Sequence, residues 1–242
     1  MRIQVLSDVH LEVAKNPIKL IEKILPSCPE PDTVLVLAGD IGHFGSELYM
    51  EYIERASRNY RAIFLVLGNH EYYCSSVEKI SQEILQVKLP DNVHLLERAS
   101  IVLDNVRFIG CTLWAVGDPD LIENINDFRY IQDMTPELYA NLNKIDKNWL
   151  KNELNNTGNF KTVVITHHMP SKSLINRVYK NNPLNVFYAN ELDDLVKHAD
   201  FWLCGHTHIP NTVDIGKCRC ITNPVGYTGE NPKCNFQSRI DL

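Results

Sequence analysis

A chain of 242 residues can bury a substantial core without a disulfide or a structural metal. A hydrophobic fraction of 44% and a charged fraction of 22% exclude a disordered or low-complexity chain. The formal charge of -6 argues against a nucleic-acid coat, which must neutralise many phosphates with Lys and Arg; a small anionic substrate stays open, because a bound cation can reverse the local field. No stretch is apolar for long enough to span a bilayer, and the run before Ser7 is too short for a secretory signal, so a cytoplasmic protein is expected. The cysteines at 28, 74, 111, 204, 218, 220 and 234 lack the spacing of a disulfide framework and read as reduced thiols.

In chain order, short apolar runs rich in branched residues at 3–6, 33–38 and 62–67 alternate with amphipathic helical segments, the pattern of βαβ units. Pro17 opens the first helix, Ser46 caps the second, and a third covers 77–87. Runs at 93–96, 100–103 and 106–111 are close-set and predict antiparallel strands, with Asp104-Asn105 as a hairpin turn. The segment 112–159 begins in a Gly117-Asp118-Pro119-Asp120 loop, ends in a helical pattern from Pro136 to Leu154, and is the candidate for a lid or substrate wall. Strands resume at 162–166 and 201–204 with a helix at 191–196 between them, and hairpins are expected around Gly216-Lys217 and Gly229-Glu230. With no internal repeat or linker, residues 1–242 form one α/β domain of two packed sheets with helices outside.

The strands end in residues that bind metals. Run 3–6 leads into Asp8 and His10, 33–38 into Gly39-Asp40, 62–67 into Gly68-Asn69-His70-Glu71, 162–166 into His167-His168, and 201–204 into Gly205-His206-Thr207-His208. Ligands at the carboxyl ends of strands in an open α/β sheet converge in one crevice. In extended chain, Asp8 and His10 would point the same way, as would His206 and His208, so each pair could grip one ion. Asp8, Asp40 and Asn69 taken singly are ordinary turn residues. Two imidazoles on one face directly after a buried strand are costly unless they bind something. Carboxylate, imidazole and amide oxygen suit Mn, Fe, Zn, Co or Mg. Seven ligands exceed one tetrahedral site but serve two ions about 3.5 to 4 Å apart that share a carboxylate, for which Asp40 is the natural bridge.

The series Asp8-x-His10, Gly39-Asp40, Gly68-Asn69-His70-Glu71, His167 and Gly205-His206-Thr207-His208 resembles the calcineurin-like metallophosphoesterase superfamily, block for block and in order over residues 8 to 208. The resemblance implies an α/β/β/α sandwich with two mixed sheets and two divalent or trivalent ions. Asp8, His10, Asp40 and His208 would surround the first ion, and Asp40, Asn69, His167 and His206 the second. It also places His167 rather than His168 in the ligand shell and turns His70 toward substrate as a general acid or charge stabiliser, with Glu71 to orient it.

The expected activity is hydrolysis of a small phosphomonoester or phosphodiester, with a hydroxide held between the ions attacking phosphorus; manganese is one metal to test, and Asp40, Asn69 and His70 carry the catalytic assignment. Arg129 could fork onto a phosphate and Phe128 or Tyr130 stack on a base; the ordinary alternative is an Arg paired with Asp127 or Asp133 and aromatics in the core. Cys218-Arg219-Cys220 reads as small core residues rather than a metal site. The competing functions are a nucleotide pyrophosphatase or nuclease, and a non-catalytic scaffold. A polymer-acting nuclease would show a basic tract, absent here, and scaffolds of this kind lose ligands, whereas all seven positions and His70 are filled.

Overall fold

A computed structural model of the chain describes residues 1–156, 158–231 and 234–242. Strands β1 (Arg2–Leu6), β2 (Glu30–Ala38), β3 (Tyr60–Val66) and β4 (Val93–Leu95) run parallel in that order, and β11 (Ile240–Asp241) closes the β1 edge antiparallel. The second sheet has the order β5 (Ala99–Leu103), β6 (Val106–Cys111), β7 (Lys161–Thr166), β8 (Phe201–Cys204), β10 (Cys218–Thr222), β9 (Asn211–Ile215). Its four central strands are parallel, and β5 and β9 join its two ends as antiparallel hairpin partners.

The runs are apolar on consecutive positions because both faces of each sheet are covered. Ile3, Val5, Val36, Phe64, Phe108, Val163, Ile165 and Leu203 fill the space between the sheets, where the Phe64 and Phe108 rings stack at 4.0 Å. Phe64→Ala at that point would cost about 3 to 5 kcal/mol. On the outer face of the first sheet, helices α1 (Pro17–Ile24), α2 (Glu47–Ser57) and α3 (Val77–Ile84) pack Ile21, Ile24, Tyr49, Tyr52, Ile53 and Ile80 against Leu35, Leu37, Ile63 and Leu65. The outer face of the second sheet takes α5 (Pro136–Leu154) and α6 (Asp193–Val196), through Leu150, Leu154 and Val196 on Ile109, Val164 and Trp202. The result is the expected four-layer α/β/β/α sandwich.

Local signals hold at the helix starts. Asn16, Ser46, Ser76 and Thr135 each accept a backbone N–H of the first turn that would otherwise lack a partner, and Pro17 and Pro136 stand where a missing N–H costs nothing. The Asp104-Asn105 turn forms as expected, both residues taking positive φ, and Gly216 turns the β9–β10 hairpin.

Two strand expectations fail. Val93–Leu95 is parallel to β3 in the first sheet rather than part of an antiparallel set, because the segment after α3 brings the chain back to the free edge of β3 and only then crosses to the second sheet. Around Gly229-Glu230 there is a turn without flanking strands: the Glu230 carboxylate accepts from the Tyr227 backbone N–H at 2.9 Å and meets His208 Nδ1 at 2.7 Å, so the segment folds over the site. The helix expected at 191–196 is shorter at its start, since Ser171 and Glu191 form an isolated antiparallel bridge.

Candidate metal centre

The residues after the strands converge, but not by extended geometry. Asp8 (φ 53°), His10 (φ 51°), Asp40 (φ 56°), His206 (φ 74°) and His208 (φ 50°) are all left-handed, correcting the expectation that each pair alternates along an extended chain. Such a conformation costs a residue with a Cβ about 1 kcal/mol or more, and the surrounding backbone holds it in place. Asp8 N–H donates to Gly39 O and His10 N–H to Asp40 O, each at 3.0 Å, lacing the β1 and β2 loops together. The Asp8 carboxylate in turn accepts from His206 N–H at 2.9 Å, which ties the two sheets at the site. Gly68 and Gly205 permit this closeness: a Cβ on Gly68 would collide with Asp40 Oδ1, and one on Gly205 would lie 2.6 Å from Asp8 Oδ2.

Three groups of donor atoms result among the described residues; one joins His10, Glu12 and His70, and the other two are made wholly of anticipated ligands. Asp8, His10 and His208 bring one ligand atom each within 4.8 Å of one another, and Asp40, His167 and His206 do the same. In the first, His10 Nε2 lies 2.9 Å from His208 Nε2, and His208 Nε2 lies 3.4 Å from Asp8 Oδ1. In the second, His167 Nε2 lies 3.1 Å from His206 Nδ1, 3.3 Å from Asp40 Oδ2 and 3.0 Å from Asn69 Oδ1. Asp40 Oδ2 is also 3.8 Å from His10 Nε2, so it stands between the groups. All seven residues anticipated as ligands are therefore brought together.

The residues present fit metal ions on a second count. Ligand histidines characteristically have their far nitrogen held by an acceptor, which fixes the tautomer and aims the other nitrogen. Here His10 Nδ1 meets Glu12 Oε1 at 3.0 Å, His167 Nδ1 meets Ala38 O at 2.9 Å, and His208 Nδ1 meets Glu230 Oε2. Burial works against a charged imidazole, yet Asp40 and Asp8 overcome it at His167 and raise its pKa to about 10; Asp8 and Glu230 likewise raise His208 to about 9. Burial alone would raise Asp40, but His167, His70 and His10 hold its carboxyl well below the usual range. Protons thus occupy places that cations would take, and a bound cation would displace them.

His70 sits at the rim. Its N–H donates to Asp40 Oδ1 at 2.8 Å, its Nδ1 meets Glu12 Oε1 at 2.8 Å, and its ring stacks on Tyr73 at 4.1 Å. Burial lowers its pKa, and Asp40 and Glu12 more than reverse this. One oxygen of Glu12 therefore holds both His10 and His70; burial would raise that carboxyl, and the two imidazoles bring it down to about 2. Glu71 does not orient His70 as anticipated. Its carboxylate accepts the backbone N–H groups of Asp40, Ile41 and Gly68 at 2.7 to 2.9 Å, shaping the loop that carries Asp40.

His168 is fully buried between the rings of His206 at 4.1 Å and Trp114 at 5.5 Å, and its ring nitrogens have no partner among the described residues. Burial and neighbouring His167 push its pKa down to about 3, so it backs His206 as a neutral ring. Arg129 bonds Glu123 O on the exposed side, outside the residues that line the cavity, and makes no ion pair with Asp127 or Asp133 among the described residues; Phe128 stacks on Tyr139 at 5.2 Å in the core. Cys218 and Cys220 are buried in the second-sheet cluster, as core residues.

Residues not singled out from sequence also shape the site. Glu12 had a visible signal, the alternating Asp8, His10, Glu12 series, whereas Glu230, Tyr227 and Tyr73 arrive only through folding. A cavity of about 330 Å³ opens on the donors, walled on one side by Asn124, Asn126 and Asp127 and on the other by Asn176, Tyr179 and Tyr188. Only part of 112–159 reaches it; the opposite wall is the irregular segment between β7 and α6.

The chain was compared with known proteins. The family model described as calcineurin-like phosphoesterase matches residues 1–210. Uncharacterized protein L509 of Acanthamoeba polyphaga mimivirus is 26% identical over 276 residues, covering 100% of this chain and 97% of that protein. Among solved structures, the phosphopantetheinyl hydrolase PptH of Mycobacterium tuberculosis superposes with a TM-score of 0.75 at 16% identity, covering 94% of this chain and 90% of that one. GAP50, described as the anchor in the inner membrane complex of Plasmodium, superposes at 0.50 with 14% identity over 100% of this chain and 77% of its own. No helix among the described residues is long and apolar enough to cross a membrane. With the family model spanning most of the chain and buried Asp and His groups able to hold metal, the protein belongs to the calcineurin-like phosphoesterases, a family of metal-dependent phosphoester hydrolases.

Proposed function

We propose that this protein hydrolyses a small phosphomonoester or phosphodiester at a two-ion centre, Asp8, His10, Asp40 and His208 holding one ion and Asp40, Asn69, His167 and His206 the other. The observation that carries the reading is Asp40 Oδ2, 3.3 Å from His167 Nε2 and 3.8 Å from His10 Nε2, at the junction of two complete donor groups. Bound ions would supply charge to offset that developing on the phosphoryl oxygens and would make water a usable nucleophile near neutral pH.

The chain's own residues do the rest. Asp40, between the groups, would offset part of the repulsion between two bound cations, and the imidazoles of His10, His167 and His208 are aimed by the acceptors behind them. His70 presents Nε2 toward the substrate side, 4.0 Å from Asp40 Oδ2, while Glu12 holds its Nδ1; it is placed to donate a proton to the leaving oxygen. Tyr73 supports that ring from beneath. The walls exclude bulk water from one side of the reacting group and accept the remainder of a small ester. A cytoplasmic setting belongs to this reading, on the seven free thiols.

The test is hydrolysis of nitrophenyl phosphate monoester and diester, and of a phosphopantetheinyl conjugate, the group in the name of the mycobacterial neighbour, with Mn, Fe, Zn, Co and Mg supplied separately. Metal-dependent release from at least one is expected. A metal-loaded protein inert on all of them would favour the scaffold reading, for which GAP50, the anchor in the inner membrane complex of Plasmodium, is the precedent. The filled ligand set speaks against that reading.

A further inference from the structure

We propose that Asp127 is a positioning residue that decides which end of the Asn69 amide faces the metal centre, an inference that rests on Asn69 being a ligand as set out above. The two ends of an amide side chain match in shape and are opposite in chemistry, so shape alone does not choose between them. A ligand needs Oδ1 turned inward. Asn69 Oδ1 lies 3.0 Å from His167 Nε2 on the ion side, and Nδ2 lies 2.8 Å from Asp127 Oδ1 on the far side.

A carboxylate oxygen only accepts, which makes the reversed amide a contact of oxygen with oxygen. Asp127 Oδ1 also accepts from Tyr73 Oη at 2.8 Å, and Oδ2 from Tyr139 Oη at 3.1 Å. With its proton given to Oδ1, Tyr73 Oη, 3.1 Å from Asn69 Nδ2, can only accept from the amide as well, so it turns the same end outward. The residue is 3% exposed and has no cationic partner among the described residues. A buried carboxyl held only by neutral donors is costly, which is unexpected of a residue that merely fills space.

The backbone places it firmly. Asp127 begins the single-turn helix α4 (Asp127–Tyr130), and Cys74 N–H donates to Tyr130 O while Gln132 N–H donates to Ser75 O, both at 2.8 Å. These bonds clamp α4 to the loop that follows Asn69. The segment inserted after β6 therefore reaches past the cavity wall and sets a metal ligand.

The experiment titrates Mn(II) into the full chain as wild type, Asp127→Ala and Asp127→Asn, counting ions per chain and following the spin-coupled pair by electron paramagnetic resonance, with thermal unfolding recorded alongside. Asp127→Ala should bind the second ion about 10- to 100-fold more weakly, with the first ion and a cooperative unfolding transition retained. Asp127→Asn, whose Oδ1 can still accept from Asn69 Nδ2, should stand closer to wild type than to Asp127→Ala. Wild-type affinity for both ions in Asp127→Ala overturns the proposal, as does equal damage by the two variants or loss of both ions with the unfolding transition. A wild type that shows the expected pattern but hydrolyses no ester sinks only the proposed reaction. One that binds fewer than two ions sinks both.

Discussion

The two sheets deliver their metal-binding residues in different ways. In the first, three successive βα units place Asp8 and His10, Asp40, and Asn69 and His70 on short loops, with capped helices returning the chain each time. In the second, His167 and the His206–His208 pair follow equally regular strands, but the connection between them is a run of irregular single turns that forms a cavity wall. The difference separates two tasks. Ligands must sit within fractions of an ångström and are held by backbone that both sheets stiffen, whereas the walls need only present a surface and can be built from less regular chain.

The sharpest way to break this comparison is Asp40→Ala, since Asp40 is where the contributions of the two sheets meet. Both ions should be lost or loosened and turnover should fall by at least ~10³-fold; metal analysis and phosphate release would check it, and retention of both ions with full turnover would refute the two-group arrangement. His70→Ala removes a first-sheet residue outside the two groups proposed to hold the ions, though it shares a third with His10 and Glu12. Turnover should drop by about 10²-fold with metal content intact, and normal turnover would remove its role as acid.

A pH series sharpens the contribution of the second sheet. In the metal-free protein His167 keeps its proton up to about 10 and His208 up to about 9, so an ion entering at neutral pH must displace both. Affinity should therefore rise as pH increases toward these values and fall as pH drops, with proton release on binding measurable by calorimetry in buffers of different ionisation enthalpy. Affinity independent of pH between 6 and 8, where on the order of tenfold per proton per unit is expected, would contradict the assignment.

Glu12→Gln tests whether the charge of one carboxylate serves both His10 and His70; an amide oxygen can still accept both imidazole N–H groups but brings no charge, and a loss of about tenfold in turnover is expected. The smallest effect belongs to Arg129→Ala. The guanidinium binds a backbone carbonyl on the outside of the wall, so Michaelis constants should stay at wild type and stability within about 0.5 kcal/mol.

The two regions also differ in how far they could be read. The strands were legible because residues buried on both faces must be apolar in succession, and the helix starts because Asn16, Ser46 and Thr135 satisfy backbone N–H groups within three residues. The position of β4 was not, since its pairing partner lies across a helix and no residue in 93–95 encodes which free edge it joins. The partner of Glu71 was not legible for a related reason: it was inferred from the neighbouring His70 in sequence, and folding supplied three backbone N–H groups instead.

By itself the sequence determined two packed sheets with helices outside and the order of the strands' metal-binding blocks, because periodicity and short-range chemistry write these locally; the four layers and the choice of His167 over His168 followed from the family resemblance. Only the tertiary structure decided how the blocks converge. The left-handed turns at Asp8, His10, Asp40, His206 and His208 are unfavourable in isolation; hydrogen bonds between the β1 and β2 loops, and from His206 N–H across to the Asp8 carboxylate, hold the loops that carry them. It decided, too, that Glu12 and Glu230 stand behind ligand imidazoles and Asp127 behind Asn69. Those contacts join residues 2, 22 and 58 positions apart, and for the two longer separations no local pattern in a chain records a meeting that depends on the packing of everything between.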